Sequence, residues 1–102
     1  MCRNRNLGVV NRGSAWALVT GSAIGIGRQY AELLAERGYN LYLVDVREEI
    51  VREAEILEHT HRVRCVAKVM DLAVADAAKT LHAETVAEGY VFDVVINNAG
   101  IF

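Results

Sequence analysis

The sequence predicts an α/β fold: a four-stranded parallel sheet in the order 3-2-1-4, with three helices on its two faces. Four apolar runs alternate with three stretches of helical spacing, joined by short loops. A loop carrying Gly21, Gly25 and Gly27 sits where the first run passes into the first helical stretch. A second glycine-bearing segment, Asn97–Gly100, closes the fourth run.

Taken in order, "AWALVT" (Ala15 to Thr20) is a short continuous apolar run, as expected of a strand buried on both faces. From Gly25 the period changes: Ile26, Tyr30, Leu33, Leu34 and Arg37 fall at helical spacing, and Gly38 is the stop. "NLYLVDV" (Asn40 to Val46) is the second strand. In the second helix, "EEIVREAEILEH", Ile50, Ala54 and Leu57 share one stripe, and Glu48 and Glu49 suit the positive N-terminal end. "RVRCVAKVMD" (Arg62 to Asp71) alternates basic with apolar residues and reads as a third strand with one less-buried side. Val74, Ala78, Leu81 and Thr85 mark a third helix closed by Gly89, and "YVFDVVINN" (Tyr90 to Asn98) is the fourth strand.

Right-handed crossovers place the first two helices on one face. A chain that steps outward through strands two and three, then returns to pair strand four with strand one, leaves a switch point between strands one and four. Ligands of open α/β sheets settle there, outside the carboxyl ends of the strands, and both glycine segments lie at those ends.

The unpaired N–H groups at the start of the first helix carry a positive partial charge, for which a diphosphate is the natural occupant. Gly21 permits the tight turn, Gly25 the close approach, and Gly27 the packing of helix on strand. Asp45 ends the second strand eighteen residues after Gly27, near the ~20-residue spacing of a carboxylate that grips an adenosine ribose.

"TGSAIGIG" matches the TGxxxGxG pattern of the short-chain dehydrogenases/reductases, and "NNAG" at Asn97–Gly100 matches that family's second motif. The resemblance runs from Ala15 to Phe102. It implies a Rossmann-like half-fold that binds a nicotinamide dinucleotide. On that resemblance Ser22, Ile24 and Ile26 line the loop facing the cofactor, with backbone N–H groups nearest the diphosphate. Asp45 would accept from both ribose hydroxyls, Asp71 would meet the adenine amino group with Leu72 beside it, and Asn97, Asn98, Ala99 and Gly100 would run past the ribose. Thr20 either ties the two motifs together through its hydroxyl or is a plain strand-end threonine. The carboxylate of Asp45 disfavours a 2′-phosphate, and Ile24 and Val46 stand where NADP-preferring members carry a basic residue, so NAD is expected over NADP. Arg28 and Arg47 lie close enough to blur that preference.

The family's catalytic serine and its YxxxK pair fall beyond the fourth strand, and none of Tyr30, Tyr39, Tyr42 and Tyr90 has lysine four residues later. The resemblance therefore implies the cofactor-binding part of an oxidoreductase, inactive by itself. The rivals are a non-catalytic module that binds a partner and a remnant without ligand.

Composition bounds the rest. Arg3, Arg5 and Arg12 make residues 1–13 a basic segment, expected to be a flexible tail before one domain over 14–102. The remainder holds eight basic against thirteen acidic side chains, which argues against a nucleic-acid footprint. No apolar run approaches the ~20 residues of a membrane span. Cys2 and Cys65 make no disulfide framework, so a reducing cytoplasm is expected. His59 and His61 are expected in a solvated loop rather than on a metal. "YVFDVVI" is left as a long apolar edge, which predicts self-association through the fourth strand.

Overall fold

The structure, a computed structural model, describes residues 15–99. The basic tail at 1–13 and Gly100 lie outside them. The elements run β1 (Trp16–Thr20), α1 (Gly25–Glu36), β2 (Asn40–Asp45), α2 (Glu49–His61), β3 (Cys65–Val69), α3 (Ala77–Ala87) and β4 (Phe92–Asn97). All strand pairs are parallel and the order is β3-β2-β1-β4, as the sequence predicts. Among the described residues no helix is long and apolar enough to cross a membrane.

The two middle strands are buried along their whole length, which explains their unbroken apolar character. Ala17, Val19, Leu41 and Leu43 point to one face and pack with Leu34, Ile50 and Leu57 of α1 and α2. Trp16, Leu18, Tyr42 and Val44 point to the other and pack with Leu72 and with Leu81 of α3. Each large aliphatic side chain sealed in this way contributes about 1.5–3 kcal/mol. Trp16 belongs to this core and meets Tyr90 edge to face at 4.8 Å.

Several expected details differ. The buried stripe of α1 is Gly27, Ala31, Leu34 and Ala35, whereas Ile26, Tyr30 and Leu33 stay exposed. The helix lies so close to the sheet that only small residues fit beneath most of it. The second helix extends to His61, and Arg62 caps it in the left-handed conformation with φ 60°. Both histidines therefore sit in its last turn, where His61 Nε2 contacts Glu32 Oε2 of α1. Strand β3 is correspondingly shorter than Arg62 to Asp71. The third helix begins only at Ala77, after Asp76 at φ 64°, so Val74 precedes it and is exposed.

Cys65 is half-buried in β3, and burial, assisted by the charge of Glu58, pushes its thiol up to about 12. A thiol whose folded value is raised contributes stability that is fully present below the ordinary thiol value and is lost as pH rises toward 12. It should also be a poor nucleophile at pH 8, because the thiolate is the reactive form. In a Cys2→Ser background, iodoacetamide at pH 8 is expected to modify Cys65 at least about tenfold more slowly in buffer than in urea. Equal rates would show the thiol is not shielded.

Candidate functional site

The carboxyl ends of β1, β2 and β4 converge on the β1–α1 loop. Gly21 turns the chain at φ +64°, and its N–H donates to the Val44 carbonyl at 2.8 Å, tying the loop to β2. Gly27 rests directly on that turn: a Cβ there would stand 1.9 Å from the Gly21 carbonyl oxygen. Gly25 is the opposite case. Its φ is +62° and a Cβ would meet nothing within 4 Å, so it borders open space.

That open space lies at the N-terminus of α1. Ile24 caps the helix without a side-chain hydrogen bond, and the first turn holds no acidic residue. The positive end of the helix is thus left to its backbone amides. Ile24 and Ile26 are exposed on either side of Gly25. Ser22 is fully buried instead, its hydroxyl donating to the Val44 carbonyl at 3.4 Å, so only its backbone can serve a ligand in the loop.

Asp45 is 8% exposed and holds two loops at once. Its Oδ2 accepts the Ala23 N–H at 2.9 Å and its Oδ1 accepts the Arg47 N–H at 2.9 Å. An ionised carboxylate has about four acceptor sites, so capacity remains on each oxygen. Beside it, Gly21, Val46, Met70, Asp71, Leu72 and Ala99 line a pocket of about 140 Å³. Leu72 is buried, and Asp71 is exposed, with its Oδ1 accepting the Ala73 N–H at 2.9 Å. Met70 and Ala73 flank Asp71 in this lining and were not expected; the only signal for them is their adjacency to a strand-end carboxylate.

Thr20 joins the two glycine segments. Its hydroxyl donates to Asn97 Oδ1 at 3.2 Å and accepts the Ala99 N–H at 3.1 Å. Asn98 Nδ2 donates to the Gly21 carbonyl at 3.0 Å. Asn97, Asn98 and Ala99 therefore meet the first loop at one crevice, while Gly100 lies outside the described residues.

The two arginines near the site differ. The guanidinium of Arg28 turns toward α2, pairing with Glu53 at 2.6 Å and Glu32 at 2.9 Å. Hydrogen bonds from Arg28 and then His61 hold the Glu32 carboxyl below its usual range. Arg47 is exposed, and its backbone N–H is held by Asp45. Among the described residues, no three histidine, cysteine or acidic side chains converge as metal ligands do.

The sequence profile of the family described as short chain dehydrogenase matches residues 15–102, and the chain belongs to that family. It is 35% identical over 99 residues to hydroxysteroid dehydrogenase-like protein 1 of Gallus gallus, covering 92% of this chain and 28% of that protein. It is 41% identical over 87 residues to the oxidoreductase UcpA of Salmonella typhimurium, covering 83% of this chain and 32% of that one. Among solved structures, L-sorbose reductase from Gluconobacter frateurii, complexed with NADPH and L-sorbose, matches with a TM-score of 0.77 and 26% identity, over 89% of this chain and 36% of that one. The fold is the Rossmann fold of these relatives, and the chain spans about a third of their length.

Proposed function

We propose that this chain is the dinucleotide-binding portion of an oxidoreductase and that it prefers NAD over NADP. The observation that carries the reading is Asp45, a buried carboxylate held at the end of β2 beside an uncapped helix N-terminus. The diphosphate would lie over Gly25 against the backbone of Ser22, Ile24, Ile26 and Gly27, where open space and free helix-end charge coincide. The ribose hydroxyls would use the remaining acceptor sites of Asp45, and the adenine would enter the pocket between Val46 and Leu72, near Asp71. Asn97, Asn98, Ala99 and Gly100 would pass the second ribose. When bound, the dinucleotide supplies hydride exchange at its nicotinamide ring.

NAD is favoured because Asp45 repels a 2′-phosphate and because Arg28, the nearest cation on α1, is committed to Glu53 and Glu32. The L-sorbose reductase was solved with NADPH, so the preference rests on these side chains and not on the relative. No tyrosine in this sequence is followed at four residues by lysine, and the role we assign to these 102 residues is to hold the dinucleotide. We place the chain in the cytoplasm, because its two cysteines, Cys2 and Cys65, make no disulfide framework.

Calorimetric titration of the 102-residue chain with NAD⁺ and NADP⁺ tests the reading. Saturable heat is expected for NAD⁺, at least about tenfold weaker binding for NADP⁺, and loss of both in Gly25→Ala, whose added methyl enters the space reserved for the diphosphate. A folded chain that binds neither dinucleotide would overturn it.

A second reading is favoured by β4, whose outer edge no other described strand covers. We propose that the 102-residue chain associates through this edge, either with itself or as a non-catalytic module with a partner. A monomer in sedimentation at high micromolar concentration would dismiss self-association.

A further inference from the structure

We propose that Glu53 is a positioning residue for the choice of dinucleotide: it holds the Arg28 guanidinium against α2, away from the mouth of the ribose site, and its loss frees that cation to accept a 2′-phosphate. This rests on the NAD preference proposed above and assigns part of it to a side chain that does not itself line the cofactor site.

The backbone places Arg28 close to that site. It is the fourth residue of α1, one turn beyond Ile24, whose carbonyl accepts its N–H at 3.4 Å. Helix residues four apart share a face, with Cβ atoms about 5–6 Å from each other, and long side chains lean toward the turn on their N-terminal side. An unrestrained Arg28 therefore lies over Ile24. Ile24 is exposed, and its neighbour Ala23 gives its N–H to Asp45 Oδ2 at 2.9 Å. The 2′ side of a ribose gripped by Asp45 would face this part of the loop.

The structure turns the guanidinium elsewhere. Its Nε donates to Glu53 Oε1 at 2.6 Å and its Nη1 to Glu32 Oε1 at 2.9 Å. One cation thus stands against two carboxylates, and the cluster offers a 2′-phosphate no net positive charge.

The two holds are unequal. Glu32 belongs to α1 and lies four residues after Arg28, the less favourable order for a pair within one helix. Its other oxygen, Oε2, contacts His61 of α2, so this carboxylate is shared. Glu53 reaches Arg28 from a different helix and makes no second ion pair among the described residues. Burial works against the charge of Arg28, yet the bonds to Glu53 and then Glu32 hold its value above the ordinary one. The side chains of Arg28 and Glu53 are only 22% and 25% exposed, so water screens the pair in part.

The position of Glu53 is set by the same aspartate that grips the ribose. Asp45 anchors the β1–α1 loop through Ala23 and the β2–α2 loop through Arg47. Helix α2 starts four residues after Asp45, at Glu49, and Glu53 is one turn further on. The Arg28–Glu53 pair therefore spans the first turns of the two helices whose leading loops Asp45 holds. A 2′-phosphate arriving there would have to take Arg28 from Glu53, although arginine and phosphate form strong two-pronged pairs when the guanidinium is free.

The test is calorimetric titration of the 102-residue chain and its variants with NAD⁺ and NADP⁺ at pH 8, where an ordinary histidine is neutral. Glu53→Ala is expected to tighten NADP⁺ at least about fivefold and to change NAD⁺ less than about twofold. Glu53→Gln keeps the bulk of the side chain and is expected to act in the same direction, which covers the case in which Glu53→Ala loosens α1 from α2. Adding Arg28→Met to Glu53→Ala is expected to restore the parent's discrimination. Glu49→Ala removes an exposed carboxylate from the same helix, leaves Arg28 paired, and is expected to leave the ratio of the two affinities unchanged. A parent chain that binds neither dinucleotide, or both alike, would sink the proposed preference and this inference together. A parent that prefers NAD⁺ while both Glu53 variants keep its ratio would retain the preference and overturn the role of Glu53. So would a Glu49→Ala chain that shifts as far as Glu53→Ala, or a double variant that stays relaxed, since either would mean that the position of Arg28 is not the cause.

Discussion

Gly27→Ala is expected to destabilise the chain by at least about 3 kcal/mol, or to prevent folding. Overpacking a core usually costs about 1–3 kcal/mol, because side chains can give way. Here the added Cβ would stand 1.9 Å from a backbone oxygen, that of Gly21, and 2.7 Å from Asn98 Nδ2. That oxygen belongs to a turn already fixed by the Gly21 N–H on Val44 and by Asn98 on its carbonyl, so relief requires α1 to lift from β1. Gly25→Ala is the control. It adds the same methyl at φ +62° with nothing within 4 Å, and only the left-handed backbone is penalised, by about 1–2 kcal/mol. Urea unfolding followed by circular dichroism separates the two. Equal losses would mean that the helix does not bear on the turn as described.

The second large effect is at Asp45. Asp45→Ala removes the acceptor from two backbone N–H groups, those of Ala23 and Arg47, at a site almost closed to water. Bonds to a charged group are worth about 1.5–3 kcal/mol each, so a loss of about 3 kcal/mol or more is expected. Asp45→Asn keeps one acceptor oxygen and should cost roughly half as much. On the proposed function, both variants also lose the preference for NAD⁺ over NADP⁺. Titration is informative only at a temperature where each variant is folded, which the unfolding curve establishes first. An Asp45→Ala chain as stable as the parent would show that the carboxylate does not organise the loops.

The strand order was legible because it follows from local patterns and one handedness rule: apolar runs at β1 and β2, charge alternation at β3, and right-handed crossovers between them. The meeting of the two glycine segments was legible for the same reason, and Thr20 proved to be the link between them. The face of α1 was not. Sequence periodicity weights the large residues Ile26, Tyr30 and Leu33, but close approach of helix to strand selects Gly27, Ala31 and Ala35. The end of α2 was missed because the interaction that anchors its last turn, His61 with Glu32, spans 29 residues. The double hold of Asp45 was illegible too, since it depends on the paths of two loops. A strand-end aspartate looks the same whether it is bare or bonded on both oxygens.

Thr20 also has a consequence for how the molecule comes into being. Its bonds to Asn97 and Ala99, and that of Asn98 to Gly21, join residues 77 to 79 apart, and β1 pairs on one side with β2 and on the other with β4. Among the described strands, β1 is thus the first made and the last to gain both its neighbours. Its apolar flank must wait, through three helices and two strands, for β4 to arrive. Closing so long a loop before any contact rewards it is entropically costly, so pairing of β1 with β4 is expected to be slow, and until it forms the unpaired edge of β1 is exposed to other chains.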